Sequence, residues 1–322
     1  MMKIGVLTSG GDAPGMNAAL RAVVRTAHYL RIPVVGIRHG YQGLINNDLI
    51  PLDRGSVANI IQRGGIIIGT ARSDEFLKAS GMKKARAIMI RNGIEAVIVI
   101  GGDGTMRGAD EFSKKHKANM IGLPGTIDND LYGTDLTIGF DTAINSAMEA
   151  VDRIRDTASS LERVFFIEVM GRYSGFISLA TALAGGAEDV LIPETPTDIK
   201  EIADTIKNNI KKGKRSNIII VSEGDEAGNA LEIARKVKRR TGEDSRVAVL
   251  GYIQRGGSPT ANDRILASKL GYEAVLAVRR RKFGCLVGEI KGKIQFTPFR
   301  NTYTKKKSVD TRIYRVIKIL SG

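Results

Sequence analysis

Val97-Ile98-Val99-Ile100-Gly101-Gly102-Asp103-Gly104-Thr105 is an apolar strand-like run that passes directly into a glycine-rich turn. A second run of this kind, Met120 to Asp130, reads Met-Ile-Gly-Leu-Pro-Gly-Thr-Ile-Asp-Asn-Asp. Glycine lets backbone amides approach a phosphate without an intervening Cβ. An Asp beside phosphate needs a bridging divalent cation, so Asp103 is predicted to bind metal, whereas Asp128 could accept a proton from an attacking hydroxyl. Together the two turns indicate phosphoryl transfer.

Apolar strand-like runs alternate with helical patterns along the chain, which is typical of an α/β fold with mainly parallel sheets covered by helices. The predicted strands are Ile4 to Thr8, Val34 to Ile37, Ala96 to Ile100, Met120 to Leu123, Val164 to Val169, Val190 to Pro193, Asn217 to Ser222 and Val247 to Gly251. The predicted helices are Asn17 to Leu30, Asp141 to Thr157, Ser174 to Ala184, Ile199 to Lys212 and Asn262 to Val278. Ligands of such sheets bind beyond the carboxyl ends of the strands, where both turns lie.

Length and composition limit the possibilities further. A chain of 322 residues exceeds the size at which single cores usually stop growing, so two domains are expected. The single cysteine, Cys285, excludes an internal disulfide, and three scattered histidines offer no metal-ligand spacing. The first apolar run is too short for a signal sequence, and no run approaches the ~20 residues that cross a bilayer. A cytoplasmic protein is expected.

The formal net charge of +15 favours anionic partners without choosing among them. Much of the excess lies in three runs: Lys211 to Arg215, Arg279 to Lys282 and Lys305 to Lys307. Such runs are usually solvated, and only the first, with Gly213 before a strand, resembles a shaped anion site. Nucleic-acid binding is not favoured, because aromatic residues are only 5% and do not interleave with the basic runs.

Three further groups follow strands or precede helices. Ser9 to Asn17 has glycines at Walker-like spacing, but Met16-Asn17 replaces Lys-Ser/Thr, so it is either a tight structural turn or a different phosphate cradle. Glu168 to Arg172 and Tyr252 to Gly257 each hold an arginine that is predicted to lie at a strand end, where a guanidinium can bind phosphate through two hydrogen bonds.

The loop Thr126-Ile127-Asp128-Asn129-Asp130 carries two closely spaced carboxylates. If this loop is extended, alternate residues face the same way, and Asp128 and Asp130 share one pocket. Paired carboxylates indicate metal binding or acid/base work, although Asx-rich loops also cap helices.

These motifs together resemble, in order and spacing, the bacterial-type ATP-dependent phosphofructokinases, and the resemblance runs nearly end to end. It implies two Rossmann-like three-layer domains with the site in the cleft between them. The larger, ATP-binding domain would comprise 1–138 plus 251–301, and the smaller, fructose 6-phosphate-binding domain 139–250 plus 302–322. The implied reaction, the committed step of glycolysis, transfers the γ-phosphoryl group of MgATP to the 1-hydroxyl of fructose 6-phosphate in a cytoplasmic homotetramer.

The resemblance also assigns site residues. The implied ATP site comprises Gly11, Arg72, Ser73, Gly102, Asp103, Gly104 and Thr105, with Asp103 on Mg²⁺. The implied catalytic residues are Asp128 as the base, Thr126 and Asp130 beside it, and Arg72 and Arg172 on the transferring group. Because phosphoryl transfer depends on positioning and charge stabilisation, the arginines matter as well as the base.

Sugar-phosphate binding is implied for Thr126, Ile127, Asp128, Met170, Gly171, Arg172, Glu223, Tyr252, Ile253, Gln254 and Arg255. Arg163 and Arg246 match residues that reach in from a neighbouring subunit, so a monomer would have an incomplete site. An effector site for ADP or phosphoenolpyruvate between subunits is implied at Arg21, Arg25, Arg54, Asn59, Arg155, Gly186, Glu188, Lys212, Lys214 and Arg215.

The chain departs from the family pattern at two positions. Tyr252 stands where His is common, and its phenol can donate to a sugar phosphate but reaches further and has no cationic form. This change bears on the affinity for fructose 6-phosphate. Asn59 stands where Asp is common beside the effector site, which bears on effector identity.

Two rival functions are distinguished by particular residues. Pyrophosphate-dependent phosphofructokinases tend to have Asp and Lys where this chain has Gly104 and Gly125, so ATP is predicted as the donor. A non-catalytic sugar-phosphate or nucleotide sensor would have lost Asp103 or Asp128, and both are present.

Overall fold

The computed structural model describes residues 2–214 and 216–321 and divides into two compact units. The first unit runs up to Thr142 and includes Arg255–Lys307, and the second comprises Ala143–Gln254 and the chain from Ser308 onward. Each boundary lies a few residues later than the expected domains 1–138 plus 251–301 and 139–250 plus 302–322. The ligands of the two domains stay predictions.

The strands and helices alternate along the chain. The strands are β1 Lys3–Ser9, β2 Val34–Ile37, β3 Leu49–Leu52, β4 Ile94–Gly101, β5 Asn119–Pro124, β6 Val164–Val169, β7 Asp189–Leu191, β8 Asn217–Ser222, β9 Ser245–Val249, β10 Cys285–Ile290 and β11 Lys293–Pro298. The helices are α1 Met16–Tyr29, α2 Gly40–Asn46, α3 Ala79–Arg91, α4 Asp103–His116, α5 Phe140–Leu161, α6 Phe176–Ala184, α7 Ile199–Lys211, α8 Ala230–Thr241, α9 Ala261–Arg279, α10 Phe299–Thr304 and α11 Arg312–Leu320.

The first unit is built on a sheet of order β11-β10-β5-β4-β1-β2-β3. Strands β10, β5, β4, β1 and β2 are parallel, whereas the edge strands β11 and β3 pair antiparallel with their neighbours. The central strand β4 is buried at every position from Ala96 to Gly101. Such burial requires helices on both faces.

Two sets of helices cover this sheet. One core joins Tyr41 of α2, Met82 of α3, Phe112 of α4 and Phe299 of α10 to alternate strand residues such as Val97. Helices α1 and α9 pack on each other and on the strands, so they cover the opposite face. The three-layer arrangement confirms the predicted α/β fold.

The second unit is built on a fully parallel sheet of order β7-β8-β6-β9. Phe166 and Ile219 from the sheet join Ile206 of α7 and Ile233 of α8 in one core. Helices α6 and α11 pack against each other and against β7. This unit is also a helix-covered parallel sheet.

Polar side chains fix where several helices begin. Asp198 accepts from the amides of Lys200 at 2.7 Å and Glu201 at 3.3 Å at the start of α7. Asn229 and Glu232 form a reciprocal capping box at the start of α8. These bonds satisfy first-turn amides that have no partner within the helix.

Several predicted bounds were wrong. The strand predicted from Val190 to Pro193 is Asp189–Leu191, and the one predicted from Val247 to Gly251 is Ser245–Val249. Gly251–Arg255 is instead a short 3₁₀ helix, so Arg255 does not lie at a strand end. Among residues 2–214 and 216–321, no helix is both long and apolar enough to cross a bilayer.

Candidate active site

Three turns leave the first sheet at the same level. In the parallel ladder, Ser9 of β1 pairs with Gly101 of β4, and Gly101 pairs with Pro124 of β5. The turns that follow these residues therefore begin side by side at the carboxyl edge of three neighbouring strands. This edge is where ligands bind in α/β sheets.

The first turn depends on glycine and on a buried asparagine. Gly10 and Gly15 have φ values of 89° and 102°, which disfavour any side chain, and Gly15 precedes α1. The side-chain Nδ2 of Asn17 donates to the carbonyls of Arg63 at 2.9 Å and Gly65 at 2.7 Å, and its Oδ1 accepts from the Ile67 backbone amide. The residue that replaces the Walker Ser/Thr thus holds a loop nearly 50 residues away, for which the sequence offered no signal.

The second turn opens α4. Gly102 precedes the helix, Asp103 and Gly104 form its exposed first positions, and no side chain caps the helix amides. Free amides at a helix N-terminus favour an anion. The Thr105 hydroxyl donates to the Ser9 carbonyl at 2.9 Å, so this side chain joins the second turn to β1.

The third turn follows β5 and carries Asp128, which is buried with 7% exposure. The Asp128 amide donates to the Thr126 hydroxyl at 3.3 Å, and the Thr126 carbonyl accepts from the Thr137 hydroxyl at 2.6 Å. The prediction of an extended loop was wrong, because Asn129 has a φ of 54° and interrupts the alternation between Asp128 and Asp130. The two carboxylates also differ in exposure, since Asp130 is only half-buried.

A segment around Arg72 lies along the first turn. The Thr8 hydroxyl donates to the Gly69 carbonyl at 2.6 Å, and the Thr70 hydroxyl donates to the Gly10 carbonyl at 3.0 Å. These bonds hold the exposed Arg72 and the adjacent Ser73 next to the strand ends. The Ser73 hydroxyl donates to Gln42 at 2.7 Å and accepts from the Phe76 amide at 3.1 Å, so its side chain stabilises this segment.

Arg255 belongs to the first unit and lies against the first turn. Its Nη1 is 3.8 Å from Oδ1 of Asp12, and a Cβ added to Gly11 would come within 2.8 Å of the same nitrogen. Gly11 and Arg255, which the sequence assigned to different ligands, are therefore neighbours. The missing Cβ at Gly11 leaves room for this guanidinium.

In the second unit, Met170, Gly171 and Arg172 form a tight turn after β6. Gly171 has a φ of 145° and Arg172 a φ of 53°, and the Arg172 amide donates to Oε1 of Glu223 at 2.9 Å. Glu223 follows β8, whose last residue Ser222 pairs with Val169 of β6. The structure thus brings together Glu223 and the turn, and the carboxylate holds the backbone that presents the Arg172 guanidinium.

Gln254 supports the same turn from within the protein. Its side chain is fully buried, and its oxygen accepts from the Met170 amide at 2.9 Å. In contrast, Tyr252 and Ile253 are 79% and 59% exposed. Of these three predicted substrate-binding residues, Tyr252 and Ile253 present side chains at the surface of this unit, whereas Gln254 holds Met170.

Arg163 and Arg246 lie at the opposite end of the second sheet from Arg172. Val164, next to Arg163, pairs with Ser245, at the amino ends of β6 and β9. Six residues of β6 separate this end from the Met170 turn, a distance of about 20 Å at the usual rise per residue. The structure does not bring these two arginines to Arg172 of the same chain.

Arg155, Gly186, Glu188 and Lys214 form a cluster in the second unit. Glu188 is 3% exposed and lies 3.2 Å from Nζ of Lys214 and 3.9 Å from Nη1 of Arg155. Arg155 also donates to the carbonyls of Gly185 and Gly186, at 2.6 and 2.7 Å. Lys212 is exposed nearby in the chain, and Arg215 lies outside the described residues.

The other predicted effector residues belong to the first unit. Arg21 and Arg25 lie one turn apart on α1, and burial together with the Arg25 charge lowers the pKa of Arg21. Arg54 is exposed, and Asn59 is exposed with a φ of 52°. Two partly buried guanidiniums on one helix face favour an anion between them.

Three glycine-bearing turns at one sheet edge, with an exposed carboxylate at a helix N-terminus and a buried carboxylate after the next strand, define a phosphate-handling α/β protein without a Walker motif. The phosphofructokinase family model matches residues 3–278. The ATP-dependent 6-phosphofructokinase 1 of Thermus thermophilus is 53% identical over 321 residues, which cover 100% of both chains. The chain belongs to the phosphofructokinase family.

Solved structures agree with this family. Phosphofructokinase from Saccharomyces cerevisiae matches with a TM-score of 0.89 and 36% identity over 100% of this chain, which spans 48% of the yeast chain. The pyrophosphate-dependent phosphofructokinase of Marinobacter aquaeolei matches with a TM-score of 0.86 over 97% of this chain and 86% of that chain. Its identity of 24% shows the shared fold alone.

The surroundings of Gly104 and Gly125 predict opposite responses to alanine. A Cβ at Gly125 would lie 2.9 Å from Ile100 and from Met16, whereas nothing lies within 4 Å of one at Gly104. We expect Gly125→Ala to lower the free energy of unfolding by about 1–3 kcal/mol through overpacking. Gly104→Ala, within a helix, should leave it unchanged or raise it by up to about 1 kcal/mol. Urea unfolding followed by circular dichroism measures both, and equal stabilities would contradict the packing at Gly125.

Proposed function

We propose that this protein transfers the γ-phosphoryl group of ATP to the 1-hydroxyl of fructose 6-phosphate, giving fructose 1,6-bisphosphate and ADP. The observation that carries the proposal is the placement of Asp103 and Asp128 after two neighbouring strands. The first is exposed at the N-terminus of α4 and the second is buried after β5, the strand next to β4. Membership in the phosphofructokinase family and an ATP-dependent relative that matches the whole chain support this reaction.

The carboxylate of Asp103 fits a role in holding Mg²⁺. Mg²⁺ prefers oxygen ligands and commonly binds through one or two carboxylates together with substrate phosphates, where it neutralises developing charge. Among the residues that the structure describes, no group of three or more His, Cys, Asp or Glu side chains could hold a metal by itself. Asp103 would therefore share the ion with ATP phosphates held by the amides of Gly102, Gly104 and Thr105.

Asp128 would act as the general base. The sugar 1-hydroxyl oxygen forms a bond to the γ-phosphorus, the bond from that phosphorus to the β,γ-bridging oxygen breaks, and the hydroxyl proton passes to the Asp128 carboxylate. Thr126 orients Asp128 through the bond from the Asp128 amide to its hydroxyl. Asp130 flanks the base, and the guanidiniums of Arg72 and Arg172 stabilise charge on the transferring group.

Sugar-phosphate recognition would use Met170, Gly171 and Arg172 with Tyr252, Ile253 and Arg255. Glu223 and Gln254 contribute by fixing the Met170–Arg172 backbone through the two bonds described above. Because Arg163 and Arg246 lie at the far end of their own sheet, we assign them to the site of a neighbouring subunit in a homotetramer.

The cluster around Glu188 would bind the effector, ADP or phosphoenolpyruvate. Lys214 and Arg155 supply positive charge beside a nearly buried carboxylate, and Arg21, Arg25, Arg54 and Asn59 of a neighbouring subunit would complete the site. The buried thiol of Cys285, whose pKa is raised by burial, fits a reducing cytoplasm.

Initial rates with each phosphoryl donor test the proposed function. We expect the purified protein to phosphorylate fructose 6-phosphate with MgATP and not with pyrophosphate, because Gly104 leaves the space beside Asp103 open. ADP and phosphoenolpyruvate, added separately, test the effector assignment in the same assay. Turnover with pyrophosphate and none with MgATP would refute the proposed donor.

Asp128→Asn tests the base. Because the carboxylate acts in the transition state, kcat should fall by ~10² or more while ATP binding stays largely intact. Asp204→Asn, an exposed change on α7, is the matched control and should retain activity. Steady-state kinetics and ATP titration measure both, and near-normal turnover of Asp128→Asn would assign the base elsewhere.

Subunit mixing tests whether Arg163 acts across an interface. Loss of a charge-assisted bond to phosphate should lower kcat/KM of Arg163→Ala for fructose 6-phosphate by roughly tenfold or more. If Arg163 serves a neighbour, hybrids of Arg163→Ala and Asp128→Asn chains contain sites with both native residues, so activity should exceed the sum of the parents. Arg153→Ala, an exposed partner of Glu149, is the control. Absence of recovery in verified hybrids would place Arg163 in the site of its own chain.

A further inference from the structure

The side chain of Lys307 contacts the loop that carries Asp128. In the sequence, Lys307 is only the last member of a basic run. Its Nζ donates to Oδ1 of Asn129 at 2.9 Å and to the carbonyl of Asp135 at 2.6 Å. Lys307 is also the last residue of the first unit before the chain passes into the second at Ser308. One ammonium thus joins two points of the loop that are six positions apart.

The Asn129 side chain is the link between Lys307 and Asp128. Asn129 is 3% exposed, and its oxygen accepts both from Lys307 and from the Thr137 amide at 3.0 Å. This pair of donors fixes the side chain of a residue with a φ of 54°, a left-handed conformation that asparagine adopts more readily than most residues. The backbone dihedrals of Asn129 determine the course of the chain directly after Asp128.

Backbone hydrogen bonds hold the two ends of the same loop together. The Thr126 amide donates to the Ile138 carbonyl at 3.2 Å, and the Ile138 amide donates to the Pro124 carbonyl at 2.8 Å. These bonds close the ends of the loop but do not contact Asn129. Lys307 and Thr137 therefore support the residue that directly follows Asp128.

We propose that Lys307 is a positioning residue for Asp128, acting through the Asn129 side chain to fix the loop in the geometry required for proton acceptance. The inference rests on the proposed role of Asp128 as the base. A change in the position of the base affects the chemical step, so the effect of Lys307 should fall on kcat rather than on ATP binding.

Because Lys307 binds the loop as an ammonium, the strength of its hydrogen bonds depends on pH. Burial lowers its pKa to about 8, although Asp135 and Asp130, the charged groups that face it, act in the opposite direction. Hydrogen bonds from an ammonium are roughly twice as strong as those from a neutral amine. The hold on Asn129 therefore weakens as pH rises through about 8.

The contribution of Lys307 to folding stability changes with pH in the opposite direction to the strength of its bonds to the loop. An effect of pH on positioning can therefore be distinguished from an effect on unfolding. The folded chain binds this proton more weakly than the unfolded chain, whose lysine pKa is near 10.5. The contribution of Lys307 to the free energy of unfolding therefore increases with pH between about 8 and 10.5. A loss of kcat in that range cannot come from global unfolding caused by this group.

Three variants of the full chain test the proposal. Lys307→Met removes both bonds, and kcat should fall by about 10- to 100-fold at pH 7 with little change in the KM for ATP. Lys307→Arg keeps a charge throughout the range, so it should retain most of the activity and lose the decline in kcat above pH 8. Lys306→Met, an exposed change in the same run, should match the parent. Circular dichroism and thermal unfolding establish that each variant is folded.

A double-variant cycle identifies the residue through which Lys307 acts. In the Asp128→Asn background, adding Lys307→Met should cost little further activity if Lys307 works by positioning that base. A further loss as large as the one that Lys307→Met causes in the parent protein would overturn the proposal. A normal kcat in Lys307→Met would also overturn it, as would a decline in kcat above pH 8 that persists in Lys307→Arg. If Asp128→Asn keeps its turnover, the assignment of Asp128 as the base is wrong. If Asp128→Asn is inactive but Lys307→Met has normal kcat, only the proposed role of Lys307 is wrong.

Discussion

The hydrogen bond from the Thr105 hydroxyl to the Ser9 carbonyl is the interaction on which the arrangement of the first unit depends. It ties the first turn of α4 to the end of β1, and the Thr105 carbonyl in turn accepts from the Tyr41 hydroxyl at 2.8 Å. Burial raises the pKa of Tyr41, so its phenol stays protonated as a donor, and its ring stacks on Phe76 with centroids 3.9 Å apart. Since a buried polar group without a partner costs about 1–3 kcal/mol, these groups fix the start of α4 against the sheet. The open amides of the turn are thereby positioned before any ligand arrives.

The second unit also contains a turn whose backbone is held by hydrogen bonds to side chains from elsewhere in the chain. Side-chain oxygens of Gln254 and Glu223 accept from the amides of Met170 and Arg172, and so hold a turn whose dihedrals are unfavourable alone. In both units, side chains from distant parts of the sequence fix the backbone of a glycine-containing turn. Preorganised groups of this kind stabilise developing charge without reorganisation during the reaction.

The sequence predicted the elements whose pattern is strong and local. The apolar runs of β1, β2, β4, β5, β6 and β8 and the periodicity of α1, α5, α6, α7 and α9 were identified to within a few residues. The charged helices α3, α4 and α8 and the edge strand β11 were missed because their apolar signal is weak. The edge strand β3 is apolar but has only four residues, one of them proline. Helices α2, α10 and α11 were also missed, as was β10, although its first four residues are buried. The glycine turns and their neighbouring strand ends were likewise predictable, because turn chemistry is local. The support given by Asn17, Tyr41 and Lys307 was not, since each contacts residues far away in the chain.

Gly104 and Gly125 have different surroundings, so substitutions at the two positions have different structural costs. An aspartate at position 104 enters open space and can be acquired in one step. A side chain at position 125 would begin at a Cβ that lies 2.9 Å from atoms of Ile100 and Met16, so a lysine there requires these neighbours to move or to be replaced. A change of side chain at position 125 is thus coupled to the core residues around it, whereas a change at position 104 is not.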